Sequence, residues 1–357
     1  MPGNNPAVAR AEKFARAHGL RIPILLAPMA GACPPSLSIA VASAGGLGAC
    51  GALPMSPAAI EAWAREVRAG TNGGFQINLW VPDPPPRRDA AAESRVRAFL
   101  GAWGPEVPPE AGDAAPPDFA AQCEAVLAAG PAIVSSIMGL YPPAFVDRMK
   151  ARGVKWFATA TTVAEALAAE AAGADAIIAQ GMEAGGHRGA FDAGQAETAM
   201  VGLFALLPAV VDAVNIPVVA TGGIADPRGV AAAVLLGASA VQIGTGFLRS
   251  PEAKLPPAWA AALGGARPEG TLVTRAYSGR AGRGLATAYA RAAAAGLEPA
   301  PYPVQRGLTA AMREAAVVAG DVERMQAWAG QSAGLAPARP AAEIASGLWE
   351  GAREMLG

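Results

Sequence analysis

Residues 23–31 run Pro-Ile-Leu-Leu-Ala-Pro-Met-Ala-Gly. The apolar run does not alternate with polar residues, so it reads as a strand buried on both faces, as in a parallel sheet covered by helices. A dinucleotide-binding sheet would follow its first strand with G-x-G-x-x-G. Here the strand is followed by Ala27-Pro28-Met29-Ala30-Gly31, and the doubly wound alternative loses its main support. The same beat continues outward. Strands are expected at 23–29, 47–53, 74–80, 132–138, 155–161, 175–180, 217–222 and 240–245. Alanine-rich helices are expected at 35–44, 56–69, 118–129, 143–152, 162–172 and 226–236. Ser56, Thr162 and Asp226 stand where helices should start, and Gly70, Gly173 and Gly237 where they should stop. Eight strands within about 245 residues fit an α/β fold of the (β/α)8 TIM-barrel type.

Two segments fall outside this beat. Residues 82–117 are rich in proline, glycine and charge, with one helical patch at 90–100, and are expected to make an excursion over the barrel mouth. Residues 251–357 are expected to form a mainly helical subdomain beside that mouth. The domain reading is therefore a barrel over 1–250 and an added C-terminal subdomain over 251–357.

Hydrophobic residues make up 52% of the chain and charged residues 16%, which favours a large core over disorder. No stretch reaches the ~18 uninterrupted apolar residues of a membrane helix. The nearest candidate, Met200–Val214, contains Pro208 and Asp212. The N-terminus has no apolar signal region, and a soluble cytoplasmic protein is the expectation. Net charge is −1 and no basic run exceeds Arg87-Arg88, so a nucleic-acid partner is not expected. Cys33, Cys50 and Cys123 lack metal-ligand spacing and read as free thiols in a reducing compartment; no metal site is expected.

In such barrels the chemistry sits at the C-terminal ends of the strands. Those ends carry Met29, Asn78, Gln180, Gly222-Gly223 and Gln242-Ile243-Gly244-Thr245-Gly246, with His187 in the loop after the sixth strand. Glycines at the adjacent seventh and eighth ends let backbone N–H groups approach a phosphate, although glycines can also serve tight turns alone. The chain has two histidines. His18 lies in the polar N-terminal segment and reads as a solvated side chain, whereas His187 sits in a glycine-flanked loop at the catalytic face. An imidazole titrates near neutrality and suits proton abstraction. Glu183 is a second candidate acid–base group, with capping or pairing within the loop as the plainer role. G-x-S-x-G, H-E-x-x-H and C-x-x-C are all absent.

Six ordered blocks carry a resemblance: ILLAPMAG (24–31), GGLG (45–48), QINL (76–79), QGMEAGGHRG (180–189), ATGGI (220–224) and VQIGT (241–245). It extends to TRAYSGRAGRGL (274–285), PYPVQ (301–305) and WAGQ (328–331). Together they resemble the nitronate monooxygenases, formerly called 2-nitropropane dioxygenases. The resemblance implies FMN as cofactor and a nitronate or nitroalkane with molecular oxygen as substrates, releasing nitrite and a carbonyl product. It implies that Met29, Asn78, Gln180 and the Gly185-Gly186 backbone lie against the isoalloxazine. Gly222, Gly223, Gly244 and Thr245, beside Gln242, would hold the phosphate. Ser278, Gly279 and Gln331 would reach the flavin from the C-terminal segment, and His187 matches the family's catalytic histidine. The family often carries aromatic or histidine side chains after the fourth strand, where this chain reads Val134-Ser135-Ser136-Ile137-Met138-Gly139, so its pocket wall differs. Two other readings stand beside it: an FMN-dependent enoyl-acyl-carrier-protein reductase using NADH, and a flavin-binding protein without turnover.

Overall fold

Parallel pairing dominates the computed structural model, which describes residues 5–357. Its strands are β1 (Ile24–Leu26), β2 (Gly48–Gly51), β3 (Phe75–Trp80), β4 (Ile133–Ile137), β5 (Lys155–Ala160), β6 (Ala176–Gln180), β7 (Gly186–His187), β8 (Val218–Thr221), β9 (Ala240–Ile243), β10 (Thr271–Thr274) and β11 (Gly282–Leu285). Eight of them form one sheet in the order β1-β9-β8-β6-β5-β4-β3-β2. A parallel bridge between Leu25 and Leu47 brings its two ends together, with Leu26 N–H donating to the Leu47 carbonyl at 2.9 Å. The ring of strands and its surrounding helices make a (β/α)8 barrel, as expected. Every residue of β1, β3, β6, β8 and β9 is buried, because the strands face core on both sides.

Helix starts follow the expected chemistry. Ser56, Asp118, Thr162 and Asp226 each accept a backbone N–H of their helix's first turn, from Ala59, Ala121, Glu165 and Gly229. Helix Pro6–Ala17 closes the end of the barrel away from the strands' C-termini. Its Phe14 packs with Leu25, Leu47, Phe157 and Val219. His18 belongs to this plug: its ring meets Phe157 edge-on at 5.3 Å, and Nδ1 lies 2.9 Å from the Phe14 carbonyl. It is therefore a packed side chain rather than the solvated one expected. All three cysteines are buried free thiols.

Two features depart from the sequence reading. The crossover between β6 and β8 contains a helix, Leu203–Ala213, with Pro208 inside it. Proline there removes the hydrogen bond to the Phe204 carbonyl, but Phe204 is 75% exposed, so that turn faces water. The second departure is at the C-terminus. Residues 257–335 stand near the barrel mouth and include the β10–β11 hairpin as well as helices. The last helix, Ala341–Leu356, instead packs on the barrel flank against helices Pro35–Ser43 and Pro227–Leu235, burying Ile344, Leu348 and Trp349. Its apolar positions recur at helical spacing, and only the barrel wall offers them a partner surface.

The excursion carries the expected helix Ala90–Leu100. Its Val96, Leu100 and Val107 form a second core with Tyr277, Tyr289, Leu308 and Met312 of the C-terminal segment. Asp83 adds an ion pair to Arg280 at 2.8 Å. The excursion and the C-terminal segment thus form one roof over the barrel. No described helix is long and apolar enough to cross a membrane.

The last helix should behave as part of the barrel. Trp349→Ala removes a side chain that is 3% exposed and is expected to cost about 3–5 kcal/mol, read as a lowered denaturant midpoint. A loss below about 1 kcal/mol would show that the helix is only appended.

Candidate active site

A cavity of about 750 Å³ opens between the barrel's C-terminal strand ends and the roof. That volume suits a cofactor together with a small substrate. From the barrel its wall takes Met29, Asn78, Gln180, Gly222, Gly223, Gln242, Gly244 and Thr245, and from the loop after β6 it takes Gly185, Gly186 and His187. Eleven residues singled out from the sequence therefore line one chamber. Their side chains are braced from below: Asn78 Nδ2 donates to Ser135 Oγ at 3.1 Å, and Gln76 Nε2 donates to Gln242 Oε1 at 2.9 Å.

Three expected residues stand behind the wall. Ser278 is fully buried, with Oγ 2.7 Å from His187 Nε2, so it reaches the cavity through the imidazole. Gly279 has φ +89°, and an added Cβ would lie 2.4 Å from the Tyr302 nitrogen; it permits two backbone segments to meet. Gln331 contributes its backbone N–H to the Glu183 carbonyl at 3.0 Å, while its neighbours Gly330 and Ser332 face the cavity. Glu183 itself accepts the Leu203 N–H with both carboxylate oxygens, at 2.9 and 3.0 Å, and so caps helix Leu203–Ala213. That satisfies the plainer of its two expected roles and leaves the acid–base role without support.

The His187 loop is held at several points. Gln180 Nε2 donates to the His187 carbonyl at 3.2 Å, and Gln180 Oε1 accepts from Gly189 N–H at 2.8 Å. Strand β7 pairs antiparallel with β11, matching His187 to Gly282 and Gly186 to Arg283. The imidazole stands between two indoles, with Trp80 at 4.9 Å and Trp328 at 5.1 Å, both edge-on. Ser278 Oγ also lies 3.2 Å from the Arg280 carbonyl, which can only accept. One arrangement satisfies both contacts: the hydroxyl donates to that carbonyl and accepts from Nε2–H, leaving Nδ1 as the unprotonated nitrogen.

Burial among the indoles pushes the His187 pKa down to about 3, with the nearby Arg306 and Arg280 charges adding to the shift. The imidazole is therefore neutral throughout the physiological range. Arg280 is held by Asp83, donates to the Ala190 carbonyl, and lies 5.7 Å from the Trp80 ring. Arg306 and Arg313 line the cavity itself. Sequence reasoning missed Trp80, Arg306 and Arg313. Trp80 had a usable signal, because it ends a barrel strand one residue beyond QINL.

The changed stretch at the end of β4 divides. Ser136 turns away from the chamber and accepts from Trp156 Nε1 at 3.0 Å, whereas Ile137 and Met138 form its wall. Met138 holds a left-handed φ of +71°, a costly conformation for a side chain of that size.

The chamber's polar groups fit a flavin. Gly222 and Gly223 have φ values of +111° and +69°, a turn that aims backbone N–H groups outward. Among the described residues, the N–H groups of Gly223, Gly244 and Thr245 donate to no protein acceptor. Trp80 Nε1, Trp259 Nε1 and Gln326 Nε2 are also buried without a partner, and all three residues line the cavity. Unpaired buried donors are costly, and a ligand rich in carbonyl and phosphate oxygens would satisfy them.

Comparison with known proteins gives a consistent picture. A family model described as nitronate monooxygenase matches residues 12–351. A nitronate monooxygenase of Pseudomonas aeruginosa is 39% identical over 350 residues, covering 95% of this chain and 98% of the relative. One from Paraburkholderia phytofirmans is 38% identical, covering 92% of each. The crystal structure of a nitroalkane oxidase from Streptomyces ansochromogenes superposes with a TM-score of 0.87 at 34% identity, over 95% of this chain and 98% of that one. FabK from Thermotoga maritima superposes at 0.74 with 30% identity, over 97% and 96%.

The state of His187 can be observed directly, since His18 is the only other histidine. With its pKa lowered to about 3, the neutral form dominates at every pH above that value, so the ring should not titrate between pH 5 and 8. Histidine-labelled NMR should show one ring held as neutral imidazole across this window. A midpoint near 6.5 assigned to His187 would contradict the account.

Proposed function

Because the chain belongs to the nitronate monooxygenase family, whose members are flavin-dependent oxidoreductases acting on small molecules, we propose that it binds FMN and oxidises nitronates and their parent nitroalkanes with molecular oxygen, releasing nitrite and a carbonyl product. The observation that carries this reading is a neutral histidine, half-buried and flanked by arginines, in a chamber whose wall also holds unpaired backbone donors.

The residues divide the work as follows. The Gly222-Gly223 and Gly244-Thr245 turns would hold the FMN phosphate, and a single such site favours FMN over FAD. Met29, Asn78, Gln180, Gln242 and the Gly185-Gly186 backbone would border the ring. Flavin, when bound, supplies the electron-accepting and oxygen-reacting chemistry. His187 takes the α-proton of a neutral nitroalkane at Nδ1, while Ser278 keeps Nε2 protonated and oriented. Imidazole is a weak base while it sees only positive neighbours. The substrate becomes an anion as it loses its proton, and that new charge stabilises the imidazolium beside it. Trp80 and Trp328 exclude water around the ring, which strengthens this pairing. A preformed nitronate needs no base and meets the same positive wall.

Anaerobic mixing tests the reading. A nitronate should bleach or redden the bound flavin, whereas NADH should act slowly or not at all, and the flavin released on denaturation should be FMN. Rapid reduction by NADH coupled to an enoyl thioester would favour the reductase alternative. No response to either reagent would leave a flavin-binding protein without turnover.

A further inference from the structure

We propose that Arg306 is the anion-recognition residue of this chamber, its guanidinium engaging the two nitro oxygens of a nitronate so that the anion is bound in preference to the neutral nitroalkane. The inference rests on the oxidation reading above and adds a specificity determinant to it.

The other arginines around His187 already have partners. Arg280 is paired with Asp83, and Arg283 donates to the Met182 carbonyl and to Thr271 Oγ1. Arg313 is held by Thr309 Oγ1, Gln326 Oε1 and the Arg306 carbonyl. Arg188 donates to the carbonyls of Gln180, Thr161 and Ala199. The Arg306 guanidinium differs from all of these. It lines the cavity, half-buried, yet among the described residues it donates to no acceptor and forms no ion pair.

Its position follows from the short helix Val304–Leu308, which begins two residues after Tyr302. Tyr302 stacks on Trp80 at 4.7 Å and 14°, and Trp80 in turn borders His187. Arg306 therefore belongs to the His187 side of the chamber, while the phosphate-type donors lie at the ends of β8 and β9. The other charged side chains of the cavity wall are Arg313, of the same sign, and Glu314, which makes no ion pair with Arg306. The Arg306 charge is felt at both His187 and Tyr302, which places it near the reacting centre.

A guanidinium presents its donors as a planar fork, and two oxygens on one planar anion match it. A nitronate carries its negative charge on two such oxygens. A neutral nitroalkane offers the same atoms without net charge and gains far less. The fit is therefore selective for charge rather than for the length or shape of the carbon chain.

The test uses nitrate, a planar unreactive anion, titrated into the flavin-loaded protein while the flavin spectrum is followed, alongside steady-state kinetics. In Arg306→Met, the nitrate Kd and the nitronate KM should rise on the order of 10- to 100-fold, as expected for loss of a charge-assisted hydrogen bond. The KM of a neutral nitroalkane of the same carbon skeleton should change less than about threefold by the same reasoning, and Arg306→Lys should recover part of the anion affinity. A nitrate Kd within about threefold of the parent, or equal losses on neutral and anionic substrates, would overturn the assignment. If methionine at 306 prevents flavin retention, the unsubstituted protein decides. Rising chloride should then raise the nitronate KM but leave the nitroalkane KM unchanged, and an unchanged nitronate KM would overturn the proposal. A parent protein whose flavin no nitronate reduces would defeat the oxidation reading alone, because nitrate titration would still decide the role of Arg306.

Discussion

The two-residue pairing of Gly186-His187 with Gly282-Arg283 is the contact on which the site depends. It joins a loop of the barrel to the roof, and the roof groups around the imidazole arrive through that junction, while Trp80 comes from β3. Ser278 and Arg280 precede β11, and Trp328 meets the same strand through a bridge to Gly284. Gln180 spans the base of the loop and fixes both the carbonyl of His187 and the N–H of Gly189. Without this junction the imidazole would be a mobile side chain on a glycine loop. With it, one ring nitrogen is committed to Ser278 and the other is left free.

The junction also sets the electrostatics. Two indoles remove water from the imidazole, and two arginines oppose its protonation, so the ring stays neutral. A positive wall that resists a proton on histidine is the same wall that welcomes an anion. The two properties have one cause, and they assign complementary jobs to His187 and Arg306. Glu183, the loop's only carboxylate, reaches the N–H of Leu203 with both oxygens and makes no contact with the imidazole.

The barrel was legible in the sequence because parallel strands buried on both faces leave continuous apolar runs, and capping residues such as Ser56, Thr162 and Asp226 mark several helix starts. His187 and the paired glycines were legible for a related reason: barrel geometry names the strand ends where chemistry can occur. The missing parts depend on contacts far apart in the chain. Helix Leu203–Ala213 was hidden by Pro208, whose lost hydrogen bond is tolerated on an exposed turn. The last helix was placed at the mouth, although its apolar face matches the barrel flank between helices Pro35–Ser43 and Pro227–Leu235. Ser278, Gly279 and Gln331, which the resemblance brings toward the flavin, stand behind the residues that line the cavity. Arg306 carries no local signal, since only the pairing of every neighbouring arginine makes its freedom visible.

The central claim is that His187 serves as a base, and a comparison of two substrates in His187→Asn tests it most directly. Turnover of a neutral nitroalkane should fall by roughly 10²–10⁴-fold, the usual contribution of a positioned base. Turnover of the corresponding preformed nitronate, in the same flavin-retaining variant, should fall far less because its proton is already gone. Equal losses on the two substrates would contradict the account and leave His187 a structural or binding residue.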